Sequence, residues 1–388
     1  MRTIYYFLLF LLLPVSCRGP EENPPAPEPE TELPLRTIIV YLCGDNDLSS
    51  EIDTKIEALQ QGMKPMGETD NHLIVYADYH DQMPKLLEVT SSDIVKLEQY
   101  AERNSASAAN FSEIVRKIMQ DFQAQSYGLI CFSHGSGWLP PKALNNPSGF
   151  ASASSSPAFR TIFEDNGYEM SLTDFASAIP LTPKGDKMEF ILLEACYMAG
   201  AEVVYELRDK TKWILASAAE MLSPGWKDIY PSHLADLFQP EPQLKNFAQA
   251  YFDYRNNLTG AARSATISLI CPNEIEELAS EVKEILSGAN TENVSGIQYF
   301  NRNDYALFFD LSDYMGTQAT PEQRINYEET LSKIVVFQAA TYSFMSGYPH
   351  SFLIRKHCGL TTYIEQAKYP ELNGAYRQLG WSRAIESE

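Results

Sequence analysis

Basic residues are scarce in this chain. Thirty Lys and Arg face 51 Asp and Glu, for a formal charge of −21, and no Lys/Arg-rich run breaks the acidic excess. Polyanions are poor partners for such a surface, so nucleic acid is excluded as a ligand. Cysteine is sparse too, with six in all. None stands in a CxxC pair or at a Cys/His ligand spacing, which argues against a structural zinc site. The GxSxG of a serine hydrolase is missing. In "SHGSG" the residue two before Ser136 is His134, and no other nucleophile elbow is evident. Internal repeats are absent, which removes the repeat architectures.

What is present fits an exported α/β protein. The 388 residues suffice for one large or two modest domains, and 44% hydrophobic with 12% aromatic residues supply a core. "MRTIYYFLLFLLLPVSC" carries Arg2, an apolar stretch from Ile4 to Leu13, and Ser16 before Cys17. That stretch is too short for a membrane-spanning helix and reads as a secretory signal over residues 1–16. A cysteine directly after the cut resembles the lipobox of bacterial lipoproteins, although Pro14 stands where Leu is usual. Cys17 is then the lipidated residue, and the membrane is reached through that anchor alone. The expected location is a bacterial envelope, periplasmic or at the cell surface. The segment 17–35 is so rich in Pro and Glu that it cannot bury enough apolar area to offset ordering entropy, and it reads as a tether. With Cys17 assigned to lipid, Cys43, Cys131, Cys196, Cys271 and Cys358 remain, an odd number that leaves at least one thiol unpaired.

Beyond the tether, apolar runs alternate with helical patterns. "RTIIVYLCG", "NHLIVYADY", "YGLICFSHG", "MEFILLEAC" and "KWILASAAE" are short and apolar, as expected of strands covered on both faces. Between them lie helical stretches such as "SSEIDTKIEALQQG" and "NFSEIVRKIMQDF", the second read as capped by Asn110 and Glu113. "LLEVT" and "DIVKLEQY" read as an exposed hairpin. Further on, "PNEIEELASEVKEIL" is a helix capped by Asn273 and Glu276. "TPEQRINYEETLSKIVVFQAATYSF" is a long helix started by Thr320 and Pro321, and "HCGLTTYI" a final strand. Strand–helix alternation implies a mainly parallel sheet with helices on both faces. Between "FSHGSGW" and the next helix runs a long stretch without periodicity, a length that is usually functional or mobile.

In parallel sheets, functional groups collect beyond the carboxyl ends of strands. His134 follows "YGLICFS" and Cys196 follows "MEFILLEA", 62 residues apart, which fits neighbouring strands ending at the same edge. Cys131 lies inside its strand and reads as a small buried hydrophobe. Small residues, Ala195, Ala199 and Gly200, surround Cys196 and leave room for a substrate backbone.

"FSHGSGW" with "EACYMAG", and "ASAAEMLSPGWKDIY" after the next strand, resemble the clostripain family of cysteine peptidases, which share the caspase–gingipain–legumain fold. The likeness runs from about Ile38 to Trp381, with "YLCGDNDL", "YALFFDLSDYM" and "GLTTYI" among the similar segments. It implies a caspase-like peptidase core over 36–240 and a mixed α/β C-terminal region, 241–388, packed on it. It implies that His134 and Cys196 form a catalytic dyad, and the chemistry suits those types, since a nearby imidazole favours the thiolate. The backbone N–H groups of Gly135 and Cys196 would form the oxyanion hole. Protein or peptide substrates would be cut after Arg or Lys, with Glu194 and Glu220 as candidate pocket acids. Relatives often have Asp where Glu194 stands.

The same likeness implies self-cleavage between Leu139 and Arg160, with Lys142 and Arg160 as candidate sites. No cofactor is required for this chemistry. Some family members need calcium, for which Asp45 and Asp47 are the candidates, although "DNDLSSE" lacks the glycine and the bidentate acid of an EF-hand. The chain is expected to act as a monomer. The alternative function is a surface binding lipoprotein that kept the fold and lost the activity.

Overall fold

The computed structural model describes residues 32–140, 142–149, 162–287 and 294–386. The signal segment 1–16, Cys17, all but the end of the tether, and Arg160 lie outside the described residues. The apolar run after the tether forms β1 (Arg36–Gly44), every one of whose nine residues is buried. It is followed by β2 (His72–Tyr79), β3 (Lys85–Val89), β4 (Ile94–Gln99) and β5 (Ser126–Phe132). A hairpin of β6 (Ile162–Asp165) and β7 (Tyr168–Met170) stands outside the main sheet. Then come β8 (Phe190–Glu194), β9 (Ile214–Ala216), β10 (Thr266–Ile270), β11 (Phe309–Asp310) and β12 (Val335–Ala340).

Nine strands make one sheet in the order β12-β10-β9-β8-β5-β1-β2-β3-β4. Its five central strands, from β9 to β2, are parallel, and both edges are antiparallel. The parallel centre is what continuous apolar runs require, because such strands must be covered twice. Alternation along β1 divides its side chains between the two covers. Ile38, Val40 and Leu42 face a core that includes residues of α1 (Ile52–Met63), α5 (Tyr230–His233) and α6 (Leu244–Asn256). Ile39, Tyr41 and Cys43 face the other, with α2 (Ala108–Asp121), α3 (Leu172–Ala178), α4 (Ala201–Leu207) and α7 (Ile275–Leu286). Beyond residue 240, β10 and β12 continue this same sheet.

Local details depart from the sequence reading in several places; "LLEVT", for one, is not exposed but mostly buried as β3 against β2. The cap of α2 is Ser107, whose Oγ accepts the N–H of Asn110. Asn110 instead donates to Asn104 O, and Glu113 pairs with Arg103, because the helix starts one turn earlier than expected. A 3₁₀ turn, Pro272–Glu274, precedes α7, so neither Asn273 nor Glu276 caps it. The long helix begins at Thr320 with a full capping box to Gln323, but stops at Ile334. From Val335 the β-branched and aromatic "VVFQAA" runs as β12 against β10, where tertiary pairing overrides the continued helix. In "HCGLTTYI" only Thr361–Thr362 is strand, paired with β11.

Candidate active site

Register brings the reactive side chains together. Phe132 at the end of β5 pairs with Glu194 at the end of β8. The next residues of both strands, Ser133–His134 and Ala195–Cys196, therefore emerge side by side at the carboxyl edge. On the other side of β5, Leu42 of β1 is the partner of Phe132, so the turn holding Asp45 and Asp47 leaves the sheet beside His134. His134 and Cys196 line one cavity of about 290 Å³, together with Leu48, Glu51, Glu194, Glu220, Ser223 and Arg302.

The backbone around the cysteine is tightly constrained. Tyr197 has φ +61°, a left-handed conformation that turns the chain sharply off β8. Two contacts hold it there: its N–H donates to Ala219 O at 3.0 Å, and its ring stacks on Phe308 at 4.5 Å. Gly135 packs against the same turn. A Cβ added to Gly135 would meet Cys196 O at 2.8 Å and the Ala195 Cβ at 2.9 Å, so only glycine allows the two strand ends to approach this closely.

Cys196 Sγ accepts the N–H of Met221 at 3.3 Å. Burial and the charge of Glu220 push its thiol up to about 12, opposed by the Met221 N–H and by Arg302. The imidazole of His134 is half-exposed and bonds through Nε2 to Asp47 Oδ1 at 2.6 Å, with Glu164 Oε2 at 4.0 Å. Glu164 belongs to the β6–β7 hairpin, which is tied to the sheet edge by Asn166 N–H to Asp45 O and by Asn46 Nδ2 to Glu164 O. Cys131 is fully buried within β5. All five cysteines from Cys43 on are free.

The candidate pocket acids are not free. Glu194 is 2% exposed, and its carboxylate is taken by four groups. Lys55 Nζ donates to Oε1 at 2.6 Å, as does Trp226 N–H at 2.6 Å, and the Tyr230 hydroxyl donates to Oε2 at 2.8 Å. The fourth contact is steric: Gly225, at φ +62°, lies so close that a Cβ there would stand 2.0 Å from Oε1. Where the sequence reading has Glu194 offer its charge to a substrate, the structure pairs that carboxylate with Lys55 inside the wall. Glu220 likewise forms a two-bond pair with Arg302, at 2.5 and 3.2 Å. Lys55 is legible in the sequence as an anomaly, since it occupies the buried stripe of α1 with Ile52, Ile56 and Leu59. Arg302 and Glu51 leave no comparable signal.

The calcium candidates are also engaged elsewhere. Asp45 bonds to His80 Nδ1 at 2.8 Å, and Asp47 to His134. Among the described residues no group of three or more His, Cys, Asp or Glu is arranged to hold a metal ion. Lys142 is exposed, has φ +60°, and lines a neighbouring cavity of about 300 Å³ with His134 and Glu164. On either side of it Leu139 and Ala143 are fully buried. Among the described residues no helix is long and apolar enough to cross a membrane.

This arrangement has counterparts among known proteins. The sequence model of the clostripain family matches residues 40–362. A comparison with curated proteins found no significant match. Among solved structures, an inactive zymogen C11 protease from Parabacteroides distasonis is 28% identical at a TM-score of 0.78, covering 92% of this chain and 99% of that one. A secreted C11 cysteine protease from Bacteroides thetaiotaomicron, in complex with an irreversible peptide inhibitor, is 26% identical at a TM-score of 0.76. That match covers 90% of this chain and 99% of the other. Another structure from the same organism, the secreted C11 protease iotapain, shares the fold at 21% identity, with a TM-score of 0.78 and coverage of 92% and 100%.

Proposed function

Because the chain belongs to the clostripain family of cysteine peptidases, we propose that it is an endopeptidase working through Cys196 and His134. The Cys196 thiolate attacks the carbonyl carbon of the scissile bond, and the oxyanion is received by the backbone N–H groups of Gly135 and Cys196. His134 takes the thiol proton and gives it to the leaving amine, whose departure leaves a thioester. Water, deprotonated by His134, then attacks the thioester and releases the acid and the free thiol. The observation that carries this reading is the pairing of Phe132 with Glu194, which delivers both side chains to one cavity.

The finer assignments belong to the same proposal. Substrates are cut after Arg or Lys, in keeping with the acidic character of the wall. The segment between Leu139 and Arg160 is cut by the enzyme itself, and the exposed Lys142 is one target. The protein is exported, anchored through lipid at Cys17, and acts as a monomer without a required cofactor. The apolar stretch before Cys17 supports export, and one similar structure is of a secreted protease.

A panel of fluorogenic peptides varied at P1, the residue on the amino side of the scissile bond, tests the core of this proposal. Wild type is expected to cleave and Cys196→Ala to be inactive, and a thiol-directed probe is expected to label Cys196 in a manner that depends on His134. Equal cleavage by Cys196→Ala sinks the mechanism. Absence of any cleavage, with no probe labelling, favours the binding-protein alternative. Self-processing is wrong if wild type and Cys196→Ala both remain single chains after prolonged incubation.

A further inference from the structure

Cleavage after a basic residue needs an acid that an incoming cation can use. The described wall of the cavity beside Cys196 carries three: Glu51, Glu194 and Glu220. Two of them already hold cations. Glu194 is bonded to Lys55 and Glu220 to Arg302, so these pairs present no net charge.

Glu51 differs. It ends the short 3₁₀ turn Ser49–Glu51 just before α1, and its Oε1 accepts the Ser223 hydroxyl at 2.5 Å. Its Oε2 is buried and has no hydrogen-bond partner among the described residues. The nearest cation is Lys55, at 3.7 Å, beyond hydrogen-bond distance. Lys55 cannot do more, because its ammonium donates to Glu194 and to Pro224 O at 2.7 Å and rests on the Phe132 ring at 4.1 Å. Of the three carboxylates only Glu51 has no cation within hydrogen-bond distance, and its unpaired oxygen is Oε2.

We propose that Glu51, not Glu194, reads the positive charge of the P1 side chain. The inference rests on the peptidase reading above and assigns its specificity determinant. A buried carboxylate oxygen without a donor is costly, and a guanidinium or ammonium supplies both the donor and the countercharge. A neutral side chain of the same shape leaves the cost in place, so discrimination is steep. The side chain keeps 15% exposure, and the soft terminal torsion of a glutamate lets the carboxylate turn toward the cavity. Lys55 prevents Glu194 from acting as a second reader of charge.

The test uses pairs of fluorogenic peptides that differ only in arginine or citrulline at P1, cleaved by the full-length protein. Citrulline keeps the shape and removes the charge. The readout is the ratio of kcat/KM values, which does not depend on how much of a preparation is active. Wild type is expected to favour arginine about a hundredfold, and Glu51→Gln to cut that ratio at least about tenfold. Glu51→Lys is expected to reverse the order of P1 arginine and P1 glutamate, a gain that misfolding cannot imitate. Glu194→Gln frees Lys55 to pair with Glu51 and is expected to lower the ratio as well.

The inference is overturned if Glu51→Gln keeps the wild-type ratio, or if wild type cleaves both peptides equally. If wild type cleaves neither and Cys196 takes no thiol probe, the peptidase reading itself has failed, and this assignment falls with it.

Discussion

His134 Nε2 lies 2.6 Å from Asp47 Oδ1, across the edge where β1 and β5 end together. This bond occupies one ring nitrogen, so in the proposed mechanism Nδ1 is the nitrogen left for the thiol. Asp47→Ala is expected to lower kcat about tenfold with KM little changed, because the imidazole loses its orientation and not its substrate contacts. Steady-state kinetics on one good peptide decides the point. A rise in KM at constant kcat would assign Asp47 to substrate binding.

Gly135 and the Ala195–Cys196 turn touch too closely for any side chain. Gly135→Ala is expected to destabilise the fold by about 1–3 kcal/mol through overpacking against backbone that cannot yield. It is also expected to abolish most activity. Urea unfolding gives the first value, and wild-type stability in the variant would contradict the geometry.

In this arrangement the thiol of Cys196 is held protonated at neutral pH, pushed up to about 12 chiefly by burial and then by Glu220. A thiolate is the reactive species, so alkylation by iodoacetamide is expected to speed up about tenfold per pH unit between pH 7 and 9. Glu220→Gln removes a negative charge and frees the positive Arg302, and both changes favour the thiolate. Faster alkylation of that variant at pH 7 is the expected result, and slower alkylation is incompatible with this electrostatic account.

Glu202 is fully buried at the start of α4, where it accepts Thr362 Oγ1–H at 3.0 Å and Tyr363 N–H at 2.8 Å. Burial pushes its carboxyl from the ordinary 4.5 up to about 7. The folded form thus holds a proton that the unfolded chain releases. The stabilisation is complete below about pH 4.5 and is lost as pH rises through about 7, a loss of about 3 kcal/mol. Glu202→Gln keeps the hydrogen-bonding shape without the titration and is expected to flatten this part of the profile. Denaturant melts at pH 5 and pH 8, on both proteins, measure the difference.

Much of the candidate site's edge is legible in the amino-acid sequence. Continuous apolar runs must be buried on both faces, so β1, β5 and β8 declare themselves, and the residues just past their ends have to collect at one edge. That pattern sets His134 and Cys196 at one edge, and the resemblance to the clostripain family is what prefers Cys196 to Cys43, which also ends a strand. Boundaries are less legible. Ser107 outcompetes Asn110 as a cap, and the chain after Ile334 abandons the helix for β12, because a partner strand distant in sequence offers better pairing than the next helical turn.

The sequence by itself determined which central segments are buried, since hydrophobic periodicity is a local property of the chain. It showed acids near the cysteine, but could not say which of them keep their charge. Only the packing of α1 against the end of β8, across 139 residues of chain, brings Lys55 to Glu194 and leaves Glu51 Oε2 without a donor. Pairing among charges depends on distances of a few ångströms between remote elements, and that was decided by the tertiary structure.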